Sequence, residues 1–246
     1  MRRTSTPWLR ARVASAWLET RTARTLVLDV PGWPGHDAGQ HLDVRLTAED
    51  GYQAQRSYSI ASASATDRVE LTVQKVPRGE VSSYLVDVAR EGDELEVRGP
   101  VGGWFRWTPD DERAVSLVAG GSGVVPVMAM LRARQQAGST APFHLLYSTR
   151  TPDHVIYADE LYRIATSGTG VEIAYVFTRG GLPDDVRAPG RLTAADVAAV
   201  EASIGRPGRV FVCGPNPFVE TATRLFLDAG HPASIVRTER FGPTGG

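Results

Sequence analysis

Cysteine occurs once, at Cys213, so the chain has no disulfide framework and no set of thiolates to hold an iron–sulfur cluster or a structural zinc. Lysine is nearly absent as well, Lys75 being the only one among 27 basic residues, and 28 acids bring the formal net charge to -1. Without a basic excess, nucleic acid is not an expected partner. No run approaches the roughly 18 apolar residues of a membrane span. The start, residues 1–7, is positively charged, but neither an apolar core of about 7 to 15 residues nor a small-residue cleavage site follows. The expectation is a cytoplasmic protein. The five histidines, His36, His41, His144, His154 and His231, are scattered without ligand spacing, read as surface or core residues, and offer no metal site.

What is present fits two modest domains within 246 residues. In the first half, residues 9–18, 25–30, 41–46, 55–61, 69–75 and 94–98 form short apolar or alternating runs separated by turn-rich stretches. They predict a small antiparallel β-barrel of Greek-key type. One helix, over residues 79–89, interrupts them, with apolar spacing at Val81, Leu85 and Val88. Residues 38–42 read as a tight turn entering a strand, without chemistry. Residues 107–112 are polar and proline-containing, and the boundary is placed there, dividing the chain into 1–110 and 111–246. Beyond it, strands at 114–119, 143–147, 171–177 and 209–213 alternate with helices at 124–136, 159–166, 193–202 and 217–229. That alternation predicts an α/β domain with a parallel sheet and ligands at the carboxyl ends of its strands.

Three stretches carry chemistry. Arg56-Ser57-Tyr58-Ser59 sets a guanidinium and an aromatic ring on one strand face and two hydroxyls on the other, donors and a stacking surface that suit a flat, anionic ligand such as a flavin nucleotide. A snorkelling arginine beside a half-buried tyrosine is the plainer alternative. Gly79 to Ser83 opens the barrel's helix, where free N–H groups could meet a pyrophosphate, unless Ser82 or Ser83 simply caps the turn. Gly120-Gly121-Ser122-Gly123 joins a strand to a helix, with Pro126 where a third fingerprint glycine would stand. It is read as a second pyrophosphate cradle, against a merely tight packing turn.

Taken together in this order, the motifs resemble the ferredoxin–NADP reductase family in a compact form without a fused iron–sulfur domain. The resemblance also takes in Val212-Cys213-Gly214-Pro215, Glu239 and Phe241. It implies FAD, rather than FMN, bound through Arg56, Ser57, Tyr58, Ser59, Gly79, Val81, Ser82 and Ser83. Tyr58 would stack on one face of the isoalloxazine, Arg56 would meet the pyrophosphate, Ser59 would lie near flavin N5, and Phe241 would cover the opposite face. A nicotinamide nucleotide would use Gly120, Gly121, Ser122, Gly123, Pro126, Cys213, Gly214 and Pro215, with Cys213 and Glu239 shaping the nicotinamide slot. Ser59, Cys213 and Glu239 are thus the implied catalytic set. The alternatives are a surface pairing of Glu239 with Arg237 or Arg240 and an ordinary buried residue at Cys213, and the tail after Phe241 departs from the plant-type pattern.

Arg150 and Arg179 each end a nucleotide-domain strand, where a ribose 2′-phosphate needs cations, which favours NADPH over NADH. The implied activity is transfer of hydride to the flavin and of electrons to a separate acceptor: ferredoxin, flavodoxin, or an oxygenase or metalloenzyme component. A non-catalytic nucleotide-binding module with the same fold is the alternative, distinguished by flavin content.

Overall fold

A computed structural model describes residues 6–64, 67–181, 185 and 187–242. All six barrel strands form: β1 (Leu9–Thr20), β2 (Ala23–Asp29), β3 (His41–Thr47), β4 (Gln53–Ser59), β5 (Arg68–Gln74) and β6 (Glu94–Val101), in the order β4-β3-β6-β1-β2-β5. The sixth strand slots between β3 and β1, the Greek-key step. An antiparallel bridge from Ile60 to Leu71 closes the remaining seam. Alternating side chains fill the interior: Leu26, Leu28, Leu42, Val44, Val69, Leu71 and Val97 are buried to within 1%.

The helix in this half is shorter than its periodicity predicts. Helix α1 (Glu80–Ser83) passes into a π-helical turn, Tyr84–Val88. No side chain caps it: the Ser82 hydroxyl instead accepts from the Val76 amide at 3.1 Å and donates to the Gly79 carbonyl at 3.3 Å. Ser82 therefore braces the loop before the helix rather than its free N–H groups.

The second half is a five-stranded parallel sheet in the order β11-β10-β7-β8-β9. Its strands are β7 (Val115–Gly120), β8 (Phe143–Thr149), β9 (Val171–Phe177), β10 (Arg209–Pro215) and β11 (Val236–Phe241), and its helices α2 (Val124–Gln136), α3 (Ala158–Thr166), α4 (Ala194–Ile204) and α5 (Asn216–Asp228). Central β7 and β8 are buried throughout, as two covered faces require. Strand β11 was not anticipated: Val236-Arg237-Thr238-Glu239-Arg240-Phe241 is mostly polar, because an edge strand has only one neighbour and little burial to meet. Chain order runs outward from β7 to β9 and then returns to β10 on its other side. The switch point lies between the carboxyl ends of β7 and β10, where ligands of open α/β sheets bind. No helix among the described residues is long and apolar enough to cross a membrane.

The halves are locked by buried polar contacts. Arg132 on α2 reaches Glu70 on β5, Glu160 on α3 and the Ala61 carbonyl, and lies over the Tyr157 ring. Tyr157, held at φ 62, is fully buried; its hydroxyl donates to Thr72 and its amide to Glu19.

Candidate functional site

Gly120 and Gly214 face each other across the switch point, and a Cβ on either would fall 2.7 Å from the Phe218 ring. A Cβ at Gly123 would stand 2.1 Å from the Cys213 carbonyl oxygen. These three glycines let β7, β10 and the start of α2 touch, so the packing alternative holds for them. Gly121 differs. At φ +56 it needs the left-handed conformation, and its Cβ direction is open, with Gln74 Oε1 of the barrel nearest at 3.7 Å. The 3-10 turn Gly121–Gly123 runs straight into α2 without a side-chain cap, the Val124 amide donating back to the Gly121 carbonyl, and Pro126 sits in the first turn of α2. Ser122 is half-buried.

On the barrel, β4 pairs with β3 so that Ser59 faces His41, Tyr58 faces Leu42 and Ser57 faces Asp43. Tyr58 is half-buried against the barrel core, and burial raises its phenol above the ordinary range. Arg56 is exposed, and among the described residues its side chain donates only to the carbonyl of Gln55. Ser57 is committed elsewhere: its hydroxyl donates to Asp43 at 2.6 Å, and Arg98 donates to the same carboxylate at 2.7 Å. Burial opposes the Asp43 charge, but those two hydrogen bonds prevail and its pKa lies below the ordinary value. Val81 belongs to the barrel core, Ser83 is half-buried, and α1 abuts β4, so the helix start and Arg56 share one end of the barrel. Tyr58→Ala should lower flavin retained through gel filtration at least tenfold while the unfolding midpoint stays within a few degrees; unchanged retention would remove Tyr58 from the site.

The two halves meet at Glu239. Its neighbour in register on β10 is Cys213, and its Oε1 lies 3.2 Å from His41 Nδ1 on β3. Neither Arg237 nor Arg240 takes it: Arg237 donates to the carbonyls of Trp104 and Arg106. Ser59, His41, Glu239 and Cys213 thus run in sequence from barrel to parallel sheet. Glu239 Oε2 is buried without a hydrogen-bond partner, a costly condition unless a ligand supplies a donor. Cys213 is fully buried, and burial, then the Glu239 charge, push its thiol well up, which keeps it a neutral wall. Phe241 is 38% exposed at the end of β11; the tail beyond Gly242 lies outside the described residues.

His41 carries no local sequence signal: residues 38–42 read as a plain turn, and only the hairpin register, which sequence does not state, places its imidazole opposite Ser59. The backbones of Arg150 and Arg179 adjoin: the Arg179 amide donates to the Arg150 carbonyl at 2.9 Å, both residues are exposed, and neither guanidinium has a partner among the described residues.

Residues 17–106 match the model of the oxidoreductase FAD-binding domain, and residues 117–224 that of the oxidoreductase NAD-binding domain. The chain is 31% identical over 206 residues to the reductase component of propane 2-monooxygenase from Mycolicibacterium smegmatis, covering 81% of this chain and 57% of that one. It is 31% identical over 245 residues to the ferredoxin reductase component of 3-ketosteroid-9-alpha-monooxygenase from the same organism, covering 95% and 65%. It thus spans little more than half to two thirds of the length of these relatives. A ferredoxin NADP+ reductase from Neisseria gonorrhoeae, solved with FAD and NADP, superposes with a TM-score of 0.78 at 20% identity, over 95% of this chain and 98% of that one.

Proposed function

We propose, from the premise that this chain belongs to the ferredoxin reductase-like family of FAD- and NAD-binding oxidoreductases, that it takes hydride from NADPH onto FAD and passes electrons to an oxygenase component on a separate chain. The observation that carries this reading is the buried, unpartnered Glu239 Oε2 at the junction of the two halves, between His41 and Cys213. FAD, when bound, supplies the hydride-accepting and electron-releasing chemistry. The residues fit such a group. Exposed Arg56 and the start of α1 would hold the flavin pyrophosphate, Tyr58 would support the ring, and Ser59 would offer a hydroxyl at its edge. The open side of Gly121 and the uncapped start of α2 would seat the nicotinamide nucleotide. Buried Cys213 and the Glu239–His41 pair would wall the slot between them and exclude water, with Phe241 at its mouth. Residues 1–110 form the flavin half of this reading and residues 111–246 the nucleotide half.

Two observations support the finer assignments. The exposed guanidiniums of Arg150 and Arg179, on neighbouring strand ends and without partners among the described residues, suit a ribose 2′-phosphate. The relatives named above are reductase components of oxygenase systems, one of them by name a ferredoxin reductase component, which favours an acceptor within such a system, an oxygenase component or the ferredoxin that serves it. A visible spectrum of the purified protein, followed by anaerobic NADPH and separately NADH, tests the reading: flavin absorbance should appear and bleach faster with NADPH. A colourless protein that cannot be reconstituted would sink it. Arg150→Ala combined with Arg179→Ala should raise the KM for NADPH about 10- to 100-fold and that for NADH less than threefold; equal effects would refute the 2′-phosphate assignment.

A further inference from the structure

At the opposite end of the parallel sheet, below the first residues of β7 and β10, a cleft of about 600 Å³ is lined by Arg106, Trp107, Arg113, Arg209 and Arg237. Its size falls within the roughly 300–1,000 Å³ of small-molecule sites. Arg209 precedes Cys213 by four residues, about 13 Å of strand at roughly 3.3 Å per residue, and Arg237 precedes Glu239 by two, about 7 Å, so the cleft lies at the other end of these strands from the candidate cofactor site.

Its charges are unevenly matched. Arg106 pairs with Asp37 at 2.6 Å, while Arg113 and Arg209 share Asp111. Asp110 and Glu112 also line the cleft, but both are exposed and neither forms an ion pair among the described residues. Asp111, whose charge favours the Arg237 cation, is already held by Arg113 and Arg209, and Arg237 forms no ion pair among the described residues. Its Nη1 donates to two backbone carbonyls and its guanidinium lies over Trp104 and Phe211, at 5.1 and 5.9 Å from the ring centroids. Its Nε is buried without an acceptor, as is Nε1 of Trp107, which is 2% exposed. Burial, then the nearby charge of Arg209, disfavour the Arg237 cation more than Asp111 favours it. A partly buried cation among cations, beside an indole N–H without an acceptor, is the electrostatic complement of a multiply charged anion.

We propose that this cleft is a binding site for a small phosphorylated anion, held by Arg237, Arg209 and Arg106. The probe is inorganic pyrophosphate, titrated calorimetrically into the FAD-loaded protein at constant ionic strength. Saturable binding is expected, weakened at least tenfold by Arg237→Gln and less than threefold by Arg237→Lys, with Arg150→Ala/Arg179→Ala leaving it unchanged. If Arg237→Gln does not fold, Arg106→Gln at the exposed edge should weaken binding about threefold. Absence of saturable heat, binding that survives both cleft substitutions, or binding lost only in the Arg150/Arg179 variant would each overturn the proposal.

Discussion

Arg132→Ala should destabilise the protein by about 3–5 kcal/mol, the cost typical of removing one member of a buried ion pair. Arg132 and Glu70 are each only 18% exposed at their side chains, and the same guanidinium also serves Glu160 and the Ala61 carbonyl. Without it, Glu70 keeps a buried charge and a backbone carbonyl loses its donor, at the contact where barrel and parallel sheet are joined. The effect should depend on pH. Burial already raises the Glu70 pKa, against the pull of Arg132, and removing the arginine raises it further. An acid with a raised folded-state pKa penalises the fold fully above that pKa and ceases to do so below its unfolded value, near 4.5. The gap in denaturant stability between Arg132→Ala and the unaltered protein should therefore shrink as pH falls from 7 towards 5. A gap independent of pH would show that the loss comes from packing over Tyr157 instead. Arg132→Met with Glu70→Leu should recover most of the stability, because a well-packed apolar pair need not be worse than a buried ionic one.

That junction also shows where sequence stops being legible. Local patterns announced nearly every element: the six barrel strands, the exact span of α2, and the β7–glycine–α2 turn all follow from alternation, period and glycine placement. Those signals live within a dozen residues. Arg132 and Glu70 lie 62 residues apart and Tyr157 and Thr72 85 apart, so nothing local reports that they meet. The site divides in the same way. Tyr58, Gly123 and Cys213 sit in recognisable strings, and Glu239 stood out only through its family resemblance. His41 became visible only when two registers, β3 with β4 and β10 with β11, brought Ser59, His41, Glu239 and Cys213 into one line. Strand β11 failed for a related reason: it is chosen by its parallel neighbour β10, and its exposed positions tolerate charge that masks any period.

The glycine loop yields the second large effect. Gly123→Ala should cost about 3 kcal/mol, the upper range for overpacking, and should weaken binding of a nicotinamide nucleotide more than tenfold with flavin content unchanged. The added Cβ would meet the Cys213 carbonyl oxygen at 2.1 Å, its carbon at 2.5 Å and the Gly214 nitrogen at 2.9 Å. All three are backbone atoms of β10, so no side-chain rotation relieves the contact, and either α2 must withdraw from the sheet or Cys213-Gly214 must move. Both displace the switch point proposed to seat the nucleotide, whereas Arg56, Tyr58 and α1, on the barrel, form none of the contacts that the added Cβ meets. Gly121→Ala separates this steric effect from backbone strain. Its φ of +56 costs an L-residue about 1–2 kcal/mol, yet its Cβ meets nothing closer than 3.7 Å. Stability should thus fall less in Gly121→Ala than in Gly123→Ala. The φ of -61 at position 123 is open to any residue, so if the two substitutions cost the same, the close approach of α2 to β10 is not what that position requires.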